Sequence, residues 1–225
     1  MIGLACHESS FFSHPLFFFA ADTVMADSEA RRRVKRGKIR LVLGPMFSGK
    51  TSEILRCLRR HRIAGRKTVM IAHASDQERS GCLGVTTHDG VHDNGSIMCG
   101  RLADVEAMPR VADADVIGID EGQFFPDLVE QSQLWSDDGK DVHIAALSGR
   151  HDGRPWPVVS AIIPRCEKIK HLTAVCHRCN ADGAAFSLLK THETGERIIG
   201  GADKYDAACR DCMRADEIAK GGAAR

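Results

Sequence analysis

From Lys38 the chain takes on a regular texture, with Ile39, Leu41 and Leu43 alternating with Arg40 and Val42 before Gly44-Pro45 interrupts it. That pattern predicts a short strand ending in a turn. Further on, Ile54, Leu55, Leu58 and Ile63 recur at helical spacing among arginines, and Gly65 supplies a C-terminal stop. A second strand is expected over 68–72. The stretch 73–109, rich in Asp, Gly and His with weak periodicity, is expected to include a loop over a site. Two more apolar runs, 116–119 and 142–147, bracket a segment opened by Pro126 and closed by Gly139, with Leu128, Val129 and Leu134 for its buried face. Nearly continuous apolar strands alternating with helices imply an α/β domain, a parallel sheet covered by helices on both faces. Beyond Cys166 the strands shorten and Gly195, Gly200 and Gly201 punctuate the chain, which places a domain boundary near residue 168. No repeat with a period of 20 to 50 residues is visible.

Between the first strand and the first helix lies Gly44-Pro45-Met46-Phe47-Ser48-Gly49-Lys50-Thr51, which satisfies G-x-x-x-x-G-K-[ST] in the context that motif requires. Its glycines let the backbone wrap so that N–H groups and the helix N-terminus point at phosphate oxygens. Lys50 then reaches the terminal phosphates, and the Thr51 hydroxyl is left for Mg2+. Such a loop needs a carboxylate to hold the metal, and Val116-Ile117-Gly118-Ile119-Asp120-Glu121 supplies one at a strand end. Asp120 is the candidate magnesium partner. Glu121 beside it is the candidate catalytic base, able to take a proton from whatever attacks the γ-phosphate, whether water or a substrate hydroxyl.

The 31 basic residues nearly balance the 30 acidic ones, so net charge gives no reason to expect a nucleic-acid partner. Nine cysteines change the picture more, because four form two Cys-x-x-Cys pairs, Cys176/Cys179 and Cys209/Cys212, separated by 29 residues. Four thiolates close a tetrahedral Zn2+ site with no position for water, which makes it structural, in a reducing compartment. His171 and His177 are then expected to be exposed rather than ligating. At the N-terminus, the apolar run around Phe17-Phe18-Phe19 lacks a basic leader and is too short for the about 20 residues that span a bilayer. Residues 1–36 are read as a disordered extension, of which 1–24 precede the mature start at Met25. Arg31-Arg32-Arg33-Val34-Lys35-Arg36 is read as a solvated tether.

Over about residues 37–213 the chain resembles the cellular-type, zinc-containing (type II) thymidine kinases. The resemblance rests on the phosphate motif, Thr87-His88-Asp89, Ile117-Gly118-Ile119-Asp120-Glu121-Gly122-Gln123-Phe124-Phe125-Pro126-Asp127, Leu172-Thr173-Ala174-Val175-Cys176, and Gly200-Gly201-Ala202-Asp203-Lys204-Tyr205. It implies a P-loop, RecA-like α/β domain over 37–167, a zinc-ribbon lid subdomain over 168–213 carrying a lasso loop, and a flexible tail over 214–225. The implied reaction transfers the ATP γ-phosphate to the 5′-hydroxyl of thymidine, with deoxyuridine also accepted. Glu121 would be the general base, and Gln123 and Phe124 would share the nucleotide and nucleoside pocket. Glu196, Arg197, Ile198, Ile199 and Gly200 map to the lasso that closes over the base, with Tyr205 packing nearby. Met46 and Leu147 are candidates for the thymine methyl pocket.

Two segments depart from the family pattern. Asp76-Gln77-Glu78 stands where Asp-Thr-Arg is usual, and Arg79 follows it. Asp76 is expected on the sugar 3′-hydroxyl and the triplet at the nucleotide, with Arg79 in the arginine's role. Ser148-Gly149-Arg150-His151 follows Leu147 where Asp-Gly-Thr-Phe is typical, with Trp156 at a common phenylalanine position, so His151 is expected beside the nucleoside. The resemblance also implies dimers or tetramers, inhibition by thymidine triphosphate, a cytoplasmic location, and neither membrane nor nucleic-acid partners. The competing readings are a P-loop ATPase with a zinc ribbon acting on nucleic acid, and a non-catalytic zinc interaction module.

Overall fold

The computed structural model describes residues 36–75, 85, 86, 92, 93, 95–191, 198 and 200–221. Six strands form one sheet: β1 Ile39–Gly44, β2 Thr68–His73, β5 Ile97–Cys99, β6 Val116–Ile119, β7 Asp141–Leu147 and β8 Lys168–His171. Its order is β5-β2-β6-β7-β1-β8, and every neighbouring pair is parallel. Two short strands, β3 Val85–Thr86 and β4 His92–Asp93, pair antiparallel apart from it. The helices are α1 Lys50–Ile63, the single turn α2 Pro109–Ala112, α3 Leu128–Asp137, α4 Pro157–Ile162 and α5 Arg210–Ala219.

Strand alternation divides the core in two. Ile39, Leu41 and Leu43 of β1, Val69 and Ile71 of β2, Ile117 and Ile119 of β6, and Val142, Ile144 and Ala146 of β7 face one side, where α3 and α4 cover them through Leu128, Trp135, Val159 and Ile162. Val42, Met70, Ala72, Val116 and Ala145 face the other and receive Ile54 and Leu58 of α1. Helices therefore lie on both faces, as continuous apolar strands require. α1 comes close because Gly118 has no side chain: a Cβ there would meet Met70 Sδ at 2.8 Å and Ile54 Cγ2 and Leu58 Cδ1 at 2.9 Å.

The buried face of α3 differs from the expected one. Leu128, Gln131, Ser132 and Trp135 are buried, spaced i, i+3, i+4, i+7, while Leu134 is 53% exposed. Two polar residues inside the stripe conceal its true phase. The three-residue β5 and the 3-10 turn Leu102–Val105 were also not apparent in the stretch 73–109. That turn is anchored by the buried Asp127 carboxylate, which accepts the Leu102 and Ala103 N–H groups at 3.1 and 3.0 Å. Lys168–His171, in the segment assigned to the lid, is the sheet's edge strand beside β1. α5 continues past Met213 to Ala219.

At the strand-start end of the sheet, buried His143 accepts a hydrogen bond at Nε2 from the Arg40 guanidinium at 3.0 Å, so its ring is neutral. His61, whose ring lies 5.4 Å away, accepts from Arg66 in the same manner, and Asp141 pairs with Arg66. Burial, reinforced by the Arg40 charge, pushes the His143 pKa down from 6.5 to about 4. Burial and Arg66 likewise lower that of His61.

The unfolded chain takes up a proton at His143 below pH 6.5 while the folded chain does not until about 4. Stability from this residue is complete above that window and falls as pH drops through it, by up to about 1.4 kcal/mol per pH unit. In urea titrations from pH 7 to 5, His143→Gln, which keeps an acceptor for Arg40 without titrating, is expected to flatten that slope. Gly118→Ala is expected to overpack the α1 face and cost about 1–3 kcal/mol, read as a lower urea midpoint at unchanged m.

Candidate active site

The carboxyl ends of parallel strands leave a crevice in which ligands bind, and here the ends of β1, β6 and β7 bring the predicted residues together. β1 stops at Gly44, whose neighbours would leave no room for a side chain: a Cβ would meet Ser48 Oγ at 2.4 Å and the Leu172 carbonyl at 2.8 Å. The loop then turns through two left-handed residues, Phe47 (φ 65°) and Gly49 (φ 77°). Glycine adopts that conformation freely, whereas phenylalanine does so at a cost of about 1–3 kcal/mol. α1 starts at Lys50 with no side chain capping its N-terminus, so its first N–H groups are directed at whatever anion the loop holds. Within the loop, the Lys50 ammonium and the Ser48 hydroxyl both donate to the Pro45 carbonyl, at 2.7 and 2.9 Å.

The two candidate magnesium residues touch. Thr51 Oγ1 donates to Asp120 Oδ2 at 2.8 Å, and the other Asp120 oxygen accepts the Glu121 N–H at 3.0 Å. A buried carboxylate beside a hydroxyl at the mouth of a phosphate loop is a hard oxygen-donor set of the kind Mg2+ takes, with phosphates completing its shell. Glu121 is itself left-handed, at φ 53° and ψ 41°, a strained conformation for a residue other than glycine. Gln123 holds its carboxylate. The Gln123 amide donates to Glu121 Oε2 and its carbonyl accepts the Leu147 N–H at 3.0 Å, bracing the β6 end against the β7 end. Gly122 allows the turn between them, since a Cβ would strike Ile144 Cγ2 at 2.8 Å.

Phe124 starts an aromatic wall, its ring centroid 5.6 Å from both His73, at the end of β2, and Trp156. The Arg150 guanidinium lies 5.9 Å from the Trp156 ring and pairs with Asp152 at 3.0 Å. His151 is half-buried in that same turn. Met46, Leu147, Leu189, Ile198, Phe47 and Tyr205 form a separate apolar cluster beside the phosphate loop. The Tyr205 hydroxyl donates to the Ile198 carbonyl at 2.8 Å, tying down the loop between β9 Phe186–Leu189 and β10 Tyr205–Ala208. Of the other predicted residues, Gly200 is described, while Asp76, Gln77, Glu78, Arg79, Glu196, Arg197 and Ile199 lie outside the described residues.

The four cysteine sulfurs of the two pairs lie within 4.8 Å of one another, and Cys179 and Cys209 are 3.7 Å apart. Sulfurs around a tetrahedral Zn2+ stand about 3.8 Å apart, the spacing that Zn–S bonds of about 2.3 Å require. Cys176 and Cys179 sit on a tight turn closed by Asn180, which is left-handed at φ 57° and donates its N–H to the Cys176 carbonyl at 2.9 Å. Cys209 precedes α5 and Cys212 lies in its first turn. Against the cost of burial, backbone N–H groups of Cys209, Cys179 and Arg178 bring Cys176 down to about 6. Hydrogen bonds that the Cys212 thiol donates to Cys179 and Cys209 push it up to about 12. Four thiols this close ionise together only around a cation, so the donor set fits zinc. His177, inside the first pair, is exposed and does not join the cluster.

Sequence reading missed the part played by His73, Arg150 and Ser187. His73 acquires its ring neighbours only where the ends of β2 and β6 meet in space, and Arg150 meets Asp152 and Trp156 through a turn with no periodicity to read. Ser187 bonds the Met46 N–H across 141 positions of sequence, a pairing with no local signal.

The thymidine kinase family model matches residues 37–213. A thymidine kinase of raccoon poxvirus is 43% identical over 176 residues, 78% of this chain and 96% of that protein. Thymidine kinases of monkeypox virus and of vaccinia virus (strain Ankara) match with the same identity and coverage. With the match running from the first sheet strand through the last of the four cysteines, this chain belongs to the thymidine kinase family.

Proposed function

We propose that this protein transfers the γ-phosphate of ATP to the 5′-hydroxyl of thymidine, and of deoxyuridine, to give the 5′-monophosphate. The observation that carries the reading is the Glu121 carboxylate, held by Gln123 next to the Thr51–Asp120 pair at the mouth of the phosphate loop. ATP phosphates enter the loop, and Lys50 exchanges the Pro45 carbonyl for a phosphate oxygen. Thr51 and Asp120 would hold the Mg2+ that accompanies ATP, which offsets the charge gathering on the transferred group. Glu121 accepts the proton of the 5′-hydroxyl as that oxygen attacks phosphorus.

The cluster of Met46, Leu147, Ile198 and Tyr205 offers an apolar seat for the thymine methyl group, and Phe124 and His151 flank the nucleoside. The loop tied at Ile198 by Tyr205 closes over the base with residues 196–200 and excludes water, which otherwise takes the phosphate. Asp76 contacts the sugar 3′-hydroxyl, with Gln77, Glu78 and Arg79 toward the nucleotide. Cys176, Cys179, Cys209 and Cys212 would hold the zinc that fixes the lid's base. The same reading includes feedback by thymidine triphosphate, assembly as a dimer or tetramer, and residence in the cytoplasm. Among the described residues no helix is long and apolar enough to cross a membrane.

The assay that tests this measures ADP release with thymidine, deoxyuridine, deoxycytidine, single-stranded DNA, or no acceptor. Turnover is expected with the first two alone; turnover that needs DNA and ignores thymidine would favour the nucleic-acid ATPase. Glu121→Gln is expected to retain ATP binding while kcat falls roughly a hundredfold or more, and wild-type turnover in that variant would remove Glu121 from its role. Metal analysis of the purified chain should find one zinc, absent from Cys209→Ser.

A further inference from the structure

We propose that the zinc module is a brace for the phosphate loop, acting through Ser187 and the Cys176/Cys179 turn, so that ATP affinity depends on it as well as nucleoside capture. The proposal rests on reading the loop as the ATP site. Three contacts carry it.

The first is polar. The Met46 N–H donates to Ser187 Oγ at 2.9 Å, with both residues buried. Ser187 belongs to β9, which pairs with β10, and β10 runs directly into Cys209. This bond fixes the Met46 backbone, near the start of the loop, to the zinc module.

The second contact explains a strained residue. Phe47 is the one non-glycine residue of the loop in left-handed conformation. Its ring leaves the nucleotide domain and packs on the zinc module's own core of Ala174, Cys176, Ala184 and Leu188. It also lies 4.7 Å from the ring of His177, between the first two metal ligands. His177 is held in turn by its N–H to the Ala207 carbonyl at 2.9 Å and by Asp206 at 3.3 Å. The third contact is at the loop's entrance, where the backbone of Leu172, which leads into the module, closes against Gly44. The Leu172 N–H also donates to the Leu43 carbonyl at 2.7 Å.

A loop strained at Phe47 keeps its shape only if its surroundings over-determine it. Ser187 and His177 lie outside the phosphate motif and supply that constraint, which makes them positioning residues rather than catalytic ones. The module's second strand also carries Tyr205, which shares an apolar cluster with Met46. The same small body therefore touches the phosphate loop and the base of the lid.

The test uses the full zinc-loaded chain. ATP and thymidine dissociation constants are measured by calorimetry for wild type, Ser187→Ala and His177→Ala, with zinc content and melting temperature as controls. Loss of the Ser187 hydrogen bond is expected to weaken ATP about three- to tenfold, as for one neutral buried bond. Thymidine should weaken at least threefold less, with zinc retained. His177→Ala, an exposed substitution that does not disturb the core, is expected to weaken ATP in the same direction. The brace is overturned if both variants bind ATP as wild type does, or if ATP and thymidine weaken in equal proportion, the mark of a general scaffold. A wild-type chain that fails to bind ATP overturns the reading of the loop itself and this inference with it.

Discussion

A phosphate loop functions only while its backbone donors remain unclaimed by the protein that carries them. Secondary structure stabilises a chain by satisfying those groups, so a segment that withholds them lacks the usual source of rigidity. Here the loop between β1 and α1 leaves the helix N-terminus uncapped and places both Phe47 and Gly49 in left-handed conformation. Its shape must come from outside itself. Gly118 lets α1 settle on the sheet beneath it, Gly44 lets the Leu172 backbone close on its entrance, and Ser187 takes the Met46 N–H.

The chemical groups follow from where the strands end. β6 delivers Asp120 and Glu121 together, and because adjacent residues of a strand point opposite ways, both can serve one site only if the backbone departs from the strand between them. The left-handed Glu121 is that departure, and Gly122 is what makes it sterically possible. Gln123 then spends both ends of its amide on the neighbouring strand end and on the carboxylate. Thr51 and Asp120, from a helix and a strand 69 positions apart, meet at hydrogen-bond distance because α1 packs directly over β6.

Much of this was legible in the sequence, for reasons particular to each part. β1, β2, β6 and β7 are apolar on both faces, and such runs have few alternatives. The phosphate loop, the Asp120-Glu121 pair and the cysteine quartet are defined by residues close in sequence, so spacing alone exposes them. What stayed hidden was set by distant partners or by polar residues in apolar settings. α3 was placed but its face was misphased, because Gln131 and Ser132 are buried while Leu134 is not. β5 has three residues and no periodicity to read. The bonds of Gln123 to Glu121 and to the Leu147 N–H join two strand ends with no local sequence signal, and the pairing of Arg40 with His143 depends on the register of β1 against β7.

The hairpin of β9 and β10 is closed at its open end by the Lys190 N–H on the Lys204 carbonyl at 2.8 Å, immediately before the loop that Tyr205 tethers. A loop whose ends are already fixed has met most of its closure entropy, and doubling its length adds only about 0.6 kcal/mol. The tip is therefore free to lengthen, shorten or change composition over evolutionary time without unsettling the cysteine cluster on one side or the phosphate loop on the other. If that loop closes over the acceptor as proposed, acceptor preference can drift in such an architecture while the machinery for handling ATP stays as it is.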